Sequence, residues 1–449
     1  MSAHAPSVLR ALIDADALTE NVRALRARVG DRTLMCVVKA DAYGHGIAHT
    51  VPALLRGGVR DLGVATLAEA LALRELLDSL PAADSDPVGP ALPAEPAAPA
   101  VSPAPAVTVA SSAASAAAED VRVLFWLHDA QTDLAPALRA RLEVGCSTAE
   151  AVHRALAAAA RTGLTARIHL KVDTGLGRGG LTRTQLDALL TELGALTSTE
   201  ASLLRIAGLM THLANADVPG DAETVAQVTS FREAEAQVKA FLDSVGGALG
   251  EADELETHLA NSPGALGGED IGGTMVRVGL STYGLSPFEG RTGTELGLRP
   301  AMSLTSRVLT VKDVPAGHGA SYGLTYRARE ATRFALVAGG YADGIPRGAS
   351  GRAQVTIRGR RLPVVGRIAM DQMVVDAGSA PVETGDEVIV MGDGSTGPSA
   401  EEWGEWSGSI NYEIVARIGP RVDRVPVGGE DCAAEGEMRA GTKGDGDDR

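Results

Sequence analysis

Cys36-Val37-Val38-Lys39-Ala40-Asp41-Ala42-Tyr43-Gly44-His45-Gly46 reads as the end of an apolar strand, Met35 to Val38, that delivers a lysine into a glycine-rich turn. A lysine at that place can form a Schiff base. Tyr43 and the neighbouring backbone N–H groups can hold a phosphate. A protein that carries pyridoxal 5′-phosphate must supply both, together with a partner for the ring nitrogen. The plainer reading is a solvated lysine closing a buried strand before an ordinary turn, and the rest of the chain has to decide between them.

On the N-terminal side, Leu18, Val22, Leu25 and Val29 recur at helical spacing, with Asp16 as the expected cap and Gly30 as the stop. On the C-terminal side short apolar runs alternate with helical stretches: Asp61 to Val64, Val121 to Leu127, Leu142 to Val144, Arg167 to Val172, Ile206 to Met210, Leu255 to Leu259 and Met275 to Val278. With the first strand this alternation predicts an α/β fold, a (β/α)8 TIM-type barrel over 12–295, whose chemistry belongs at the C-terminal ends of its strands. From Pro300 to Val427 the texture changes to short runs punctuated by Gly, Pro and Asp, which predicts a mainly β C-terminal domain over 296–427. Trp403 and Trp406, beside Glu401 and Glu402, suggest a short helix there. Residues 81–119 are almost entirely Ala, Pro, Ser, Val, Asp and Gly, without helical or strand period, and read as a low-complexity insertion. The acidic tail, 428–449, is expected to be disordered as well.

A net charge of -16 opposes non-specific nucleic-acid binding, which needs clustered cations. Cys36, Cys146 and Cys432 are too few and scattered for a disulfide framework or a metal knuckle, and no metal is expected. Met1 to Leu9 lacks the pattern of a secretory signal, and no window is apolar enough for a membrane span. The expectation is a cytoplasmic protein without membrane or nucleic-acid partners.

The run VVKADAYGHG resembles the cofactor-lysine signature of the alanine racemases. The same resemblance returns, in order, at HLKVDTGLGR (His169 to Arg178), THLANAD (Thr211 to Asp217), HLANSPG (His258 to Gly264), MVRVGLSTYG (Met275 to Gly284), SYGLTY (Ser321 to Tyr326), GGYADGIPR (Gly339 to Arg347), GRIAMDQM (Gly366 to Met373) and INYEI (Ile410 to Ile414). It implies a barrel followed by a β-domain that includes the N-terminal strand at 1–11, a head-to-tail homodimer with shared sites, and alanine as substrate. Lys39 would be both Schiff-base lysine and catalytic base. Tyr322, from the other subunit, would be the second catalytic residue, assisted by His212, which would also belong to the cofactor site and contact the ring-nitrogen arginine. The cofactor would be held by Tyr43, Ser262, Gly279, Leu280 and Tyr412 at its phosphate, by Arg277 at its ring nitrogen and by Arg178 at its phenolic oxygen. Arg178 and the Met370 N–H would bind the substrate carboxylate. Lys171 would orient Arg178, in many relatives as a carbamate, while Tyr341, Arg347, Ile410 and Tyr412 would line a narrow entry that Asp371 supports. His45, His169 and His258 read as orienting or packing residues. Val278 and Ala369 depart from the family's usual Pro and Cys; neither change removes a backbone contact. A racemase of different specificity and a non-catalytic cofactor carrier are the competing readings. The second lacks the β-domain, and the first is decided by substrate.

Overall fold

A computed structural model describes residues 8–80, 120–268 and 271–429; the insertion at 81–119 and nearly all of the acidic tail fall outside them. Nine strands lead through the first part of the chain. They are β1 (Arg10–Asp14), β2 (Thr33–Val37), β3 (Asp61–Thr66), β4 (Arg122–Leu127), β5 (Glu143–Cys146), β6 (Ala166–Lys171), β7 (Leu204–Met210), β8 (Glu256–His258) and β9 (Met275–Val278). β2 to β9 form one parallel sheet in the order β8-β7-β6-β5-β4-β3-β2-β9. Thr274 N–H donates to Thr257 O and Arg277 N–H to Ala260 O, and these bonds join β9 to β8 and close the sheet into a barrel.

Outward residues such as Ile168 and Leu170 of β6 pack in the main core with the surrounding helices. Inside the barrel, Met35, Leu124, Met210 and Met275 form a separate apolar cluster beside Trp126. β6 alternates strictly: Arg167, His169 and Lys171 take the other face, pointing along the barrel interior toward the end where the site lies.

The helix after β1, α1 (Ala15–Val29), buries Leu18, Val22, Leu25 and Val29 as their spacing predicts and stops at Gly30, whose φ is 65°. Its cap differs from expectation. Asp14, not Asp16, accepts the Ala17 N–H at 2.8 Å, because β1 runs straight into the helix and leaves Asp14 extended.

The second half of the chain adds β10 (Met302–Val314), β11 (Gly319–Ala320), β12 (Tyr326–Arg327), β13 (Thr332–Ala338), β14 (Gln354–Ile357), β15 (Arg360–Val365), β16 (Gln372–Asp376), β17 (Glu387–Met391) and β18 (Asp423–Val427), most of them in a second sheet. Its eight-stranded order is β13-β16-β15-β14-β17-β10-β1-β18, while β11 and β12 pair as a separate ribbon. β1 is thus stitched antiparallel to β10 and parallel to β18, tying the chain's start to the β-rich part. A capped helix, Ala400–Ser407, buries Trp403, whose indole N–H donates to Val390 O at 2.7 Å. It feeds the helix Asn411–Ala416, pinned to the barrel by Asn411 Nδ2 donating to Ser286 O at 2.8 Å.

Candidate active site

Lys39 stands just past the end of β2, and the backbone behind it takes an unusual course. Ala40, Asp41, Ala42 and Tyr43 all have φ between 51° and 56°. This is a left-handed turn made without a single glycine, closed by Ala42 N–H to Val38 O and Gly44 N–H to Ala40 O, both at 2.9 Å. Left-handed backbone costs an L-residue roughly 1–2 kcal/mol, so the surroundings have to impose it. Glu69 Oε1 accepts the Ala40 N–H at 2.7 Å, Asp41 Oδ1 accepts the Ile47 N–H at 2.8 Å, and Arg424 Nε donates to Gly44 O at 3.1 Å. Buried His45 holds its Nδ1 against Ala42 O and Tyr43 O, and its ring packs 4.5 Å from that of Tyr283.

A stability test follows. Ala42→Val forces a β-branched side chain into a buried left-handed position and should cost about 2–4 kcal/mol in urea unfolding. Ala40→Gly should be neutral or stabilising by about 1 kcal/mol, since glycine takes that conformation freely. Equal stability of Ala42→Val and the parent would mean that the turn is not left-handed.

A cavity of about 480 Å³ opens at this end of the barrel and is lined by Lys39, Tyr43, Lys171, Arg178, His212, Ser262, Arg277, Gly279, Leu280, Ile410 and Tyr412. Trp126, Met210 and Asn261 also line it and were not singled out by the sequence. Burial, and then the nearby Arg178, lowers the Lys39 amine from its ordinary value. Lys171, at the end of β6, is lowered by burial and by Arg178 and Arg277, a setting that favours loss of its charge.

At one side the Gly279 N–H donates to Ser262 Oγ at 3.1 Å, and Leu280 opens the helical turn Leu280–Tyr283. A Cβ on Gly279 would stand 2.2 Å from the Tyr43 hydroxyl, so only glycine lets that hydroxyl reach the backbone. Burial raises Tyr43 well above its usual range and pushes Tyr412 up to about 12. Both therefore remain neutral donors. Hydroxyls and backbone N–H groups without a cationic cluster suit a phosphate held by directed hydrogen bonds.

Arg277 of β9, also on the cavity, is buried and held through both of its Nη atoms. Nη2 donates to Thr211 O at 2.6 Å, while Nη1 donates to His258 O at 2.5 Å and to His258 Nδ1 at 3.1 Å. Burial draws its pKa down to about 10, which still leaves a cation at neutral pH. His212 Nδ1 lies 3.5 Å from Arg277 Nη2. Burial first, and then Arg277 and Arg178, lowers His212 to about 3, so the imidazole is neutral. An amine with a lowered pKa, a neutral phosphate cradle and a cationic donor for a ring nitrogen, all on one cavity, fit pyridoxal 5′-phosphate.

Tyr322, Tyr341, Arg347, Met370 and Asp371 are not among the residues lining this cavity. They sit on loops of the β-rich part that are knit together: Tyr341 N–H donates to Ala369 O, Ala342 N–H to Met370 O, and Ser321 Oγ to Arg367 O. Arg421 bridges Asp343 and Asp371. Tyr322 is 70% exposed, and Met370 and Ile410 are exposed beyond half.

Glu69 went unnoticed in the sequence, although Thr66-Leu67-Ala68-Glu69 is a capping-box signature that the structure bears out. Its reach to Ala40 has no sequence signal. Glu143, His169 and Glu256 likewise bring ligand-type atoms within 4.8 Å of one another from three different strands, a grouping no sequence spacing reveals. Each is already engaged: Glu143 by Arg167 and His169, and Glu256 by Arg122.

The family model described as alanine racemase, N-terminal domain, matches residues 13–287, and the one described as alanine racemase, C-terminal domain, matches residues 301–426. An alanine racemase of Streptomyces coelicolor is 42% identical over 422 residues, covering 93% of this chain and 95% of that protein. The crystal structure of alanine racemase from Streptomyces lavendulae superimposes with a TM-score of 0.80 at 38% identity, covering 96% of this chain and 99% of that one. The alanine racemase of Bartonella henselae, with covalently bound pyridoxal phosphate, shares the fold at 24% identity, with a TM-score of 0.72 over 94% of this chain and all of that one.

Proposed function

The chain belongs to the alanine racemase family and is a pyridoxal 5′-phosphate-dependent racemase of L- and D-alanine; we propose that it works by two-base proton transfer, with Lys39 on one face of the substrate and Tyr322 of the partner subunit on the other. The observation that carries this reading is the convergence of Lys39 and Arg277 on one cavity whose phosphate side is built of neutral donors.

Inverting a stereocentre by proton transfer needs a base on one face and an acid on the other. Bound pyridoxal 5′-phosphate supplies the electron sink for negative charge at Cα. The Lys39 amine, its pKa lowered by burial and by Arg178, accepts or returns the Cα proton at Nζ. A tyrosine hydroxyl serves the opposite face, and neutral His212 is available to it as a hydrogen-bonding partner. Arg277 orients the ring nitrogen but does not hand over a proton, which moderates the sink and favours prompt return of the proton at Cα. Arg178 and the Met370 N–H hold the substrate carboxylate, Met370 acting from the partner subunit. Lys171 steers Arg178, and it does so best as a carbamate.

A second copy is part of this reading. The loops bearing Tyr322, Tyr341 and Met370 form one exposed surface with apolar side chains, which supports a head-to-tail homodimer that closes each cavity with tyrosines from its partner. Such a gate admits a small zwitterion and opposes larger side chains by steric exclusion. The product serves peptidoglycan synthesis. Among the described residues no helix is long and apolar enough to cross a membrane. The free thiols of Cys36 and Cys146 support placement in the reducing cytoplasm.

A chiral assay of purified protein tests the reading. L-Alanine should go to the racemate and D-alanine to the same end point, with initial rates falling from alanine to serine and becoming negligible for lysine and glutamate. A faster rate with lysine or glutamate would replace the alanine assignment with a broader racemase.

A further inference from the structure

Arg277 is a buried cation, and among the described residues no carboxylate pairs with it. A chain of imidazoles runs away from it down the barrel interior instead. Arg277 Nη1 donates to His258 Nδ1 at 3.1 Å. His258 Nε2 lies 2.9 Å from His169 Nδ1, and His169 Nε2 lies 2.8 Å from Glu143 Oε2. The other Glu143 oxygen accepts from Arg167 Nε at 2.8 Å. His169 and His258 are completely buried, and Glu143 is nearly so.

The two ends dictate what lies between them. A guanidinium only donates, so His258 Nδ1 must carry a lone pair. Neutral His258 then bears its proton on Nε2 and donates to His169 Nδ1. That leaves the His169 proton on Nε2, where the Glu143 carboxylate accepts it. Protonating His169 would press a second donor on His258 and demand an imidazolate, so both rings are neutral. Burial alone would raise the Glu143 pKa, but the hydrogen bonds from His169 and Arg167 and the Arg167 charge hold it below the ordinary carboxylate range, and the accepting end stays charged.

The backbone makes room for this chain. Gly208 lies on β7 beside His169, where a Cβ would fall 2.2 Å from His169 Nδ1, the atom that meets His258. The β6–β7 pairing shifts register between Ile168 and His169, at the same place.

We propose that Glu143, acting through His169 and His258, is a positioning residue for the reaction: it fixes one tautomer along both imidazoles, so that Arg277 is always backed by a lone pair and held in one pose toward the ring nitrogen. The inference rests on the reading above that Arg277 faces that nitrogen. Reversing the chain would set the His258 Nδ1–H against an Arg277 N–H and displace the guanidinium. A glutamine at 143 removes the charge that forbids reversal, because its amide can donate as well as accept.

The test uses holoenzyme with ¹⁵N-labelled histidines and, separately, cofactor labelled with ¹⁵N in the ring. In the parent protein His258 and His169 should each show an unprotonated Nδ1 and a protonated Nε2. Glu143→Gln should lower kcat by roughly 10-fold with KM changed by less than about 2-fold, as expected when a group that orients an active-site ligand is lost. It should also move the ring-nitrogen signal in the direction that Arg277→Lys moves it. Gly208→Ala, which changes no charge, should reproduce the same displacement. A protonated His258 Nδ1 in the parent overturns the inference without any variant. So does a Glu143→Gln enzyme with unchanged kcat and ring-nitrogen signal while Arg277→Lys moves that signal. If Arg277→Lys leaves the signal in place, the reading of Arg277 falls, and the inference falls with it.

Discussion

Replacing Lys39 by alanine is expected to abolish racemisation in both directions. On the proposed reading the side chain combines two duties that no neighbour can assume together: it would hold the cofactor covalently, and its free amine would exchange the Cα proton on one face. Burial and Arg178 suit it to the second duty by lowering its pKa. Borohydride reduction of the parent enzyme should fix the cofactor to the peptide that contains Lys39. Lys171 is the other lysine lining the cavity, so peptide mapping decides between just two candidates. Cofactor fixed to the Lys171 peptide, or measurable racemisation by Lys39→Ala, would overturn the assignment.

Tyr322→Phe should keep the cofactor and lose the chemistry. Tyr322 is exposed and does not line the Lys39 cavity of its own chain, so its hydroxyl contributes nothing to holding the cofactor there. Loss of a positioned acid–base group should slow racemisation by at least about 10²-fold. The defect should also be lopsided. With Lys39 intact, proton exchange on its face continues, so deuterium from solvent should enter one enantiomer far faster than the other. A variant within a factor of about two of the parent would show that Tyr322 moves no proton.

Much of this was legible in the sequence for physical reasons. The eight barrel strands are short apolar runs between helical stretches, and Lys39, Lys171 and Arg277 stand at or near strand ends, where a parallel barrel exposes its side chains to a ligand. The residues expected at a phosphate, Tyr43, Ser262, Gly279, Leu280 and Tyr412, fall together on one cavity. What the sequence withheld is tertiary. Of Ala40 to Tyr43 only Asp41 is a type that takes left-handed backbone with any ease, and the conformation of the run is imposed by Glu69, Asp41 and Arg424. The α1 cap moved from Asp16 to Asp14 because β1 abuts the helix, which periodicity alone does not report. The interior chain from Glu143 to Arg277 joins four strands, and its members show no mutual spacing along the chain. Tyr322 and Met370 were reached only through resemblance, since nothing in the local sequence of these exposed loops marks a site residue.

The central claim is that each site takes Lys39 from one chain and Tyr322 from the other. Mixing inactive Lys39→Ala with inactive Tyr322→Phe protein, under conditions where subunits exchange, tests it most directly. Random exchange makes half of the dimers hybrids, and each hybrid has one intact site of two, so activity per total site should rise to about a quarter of the parent's. Persistent inactivity after exchange has been demonstrated would place both residues in one chain and contradict the shared site.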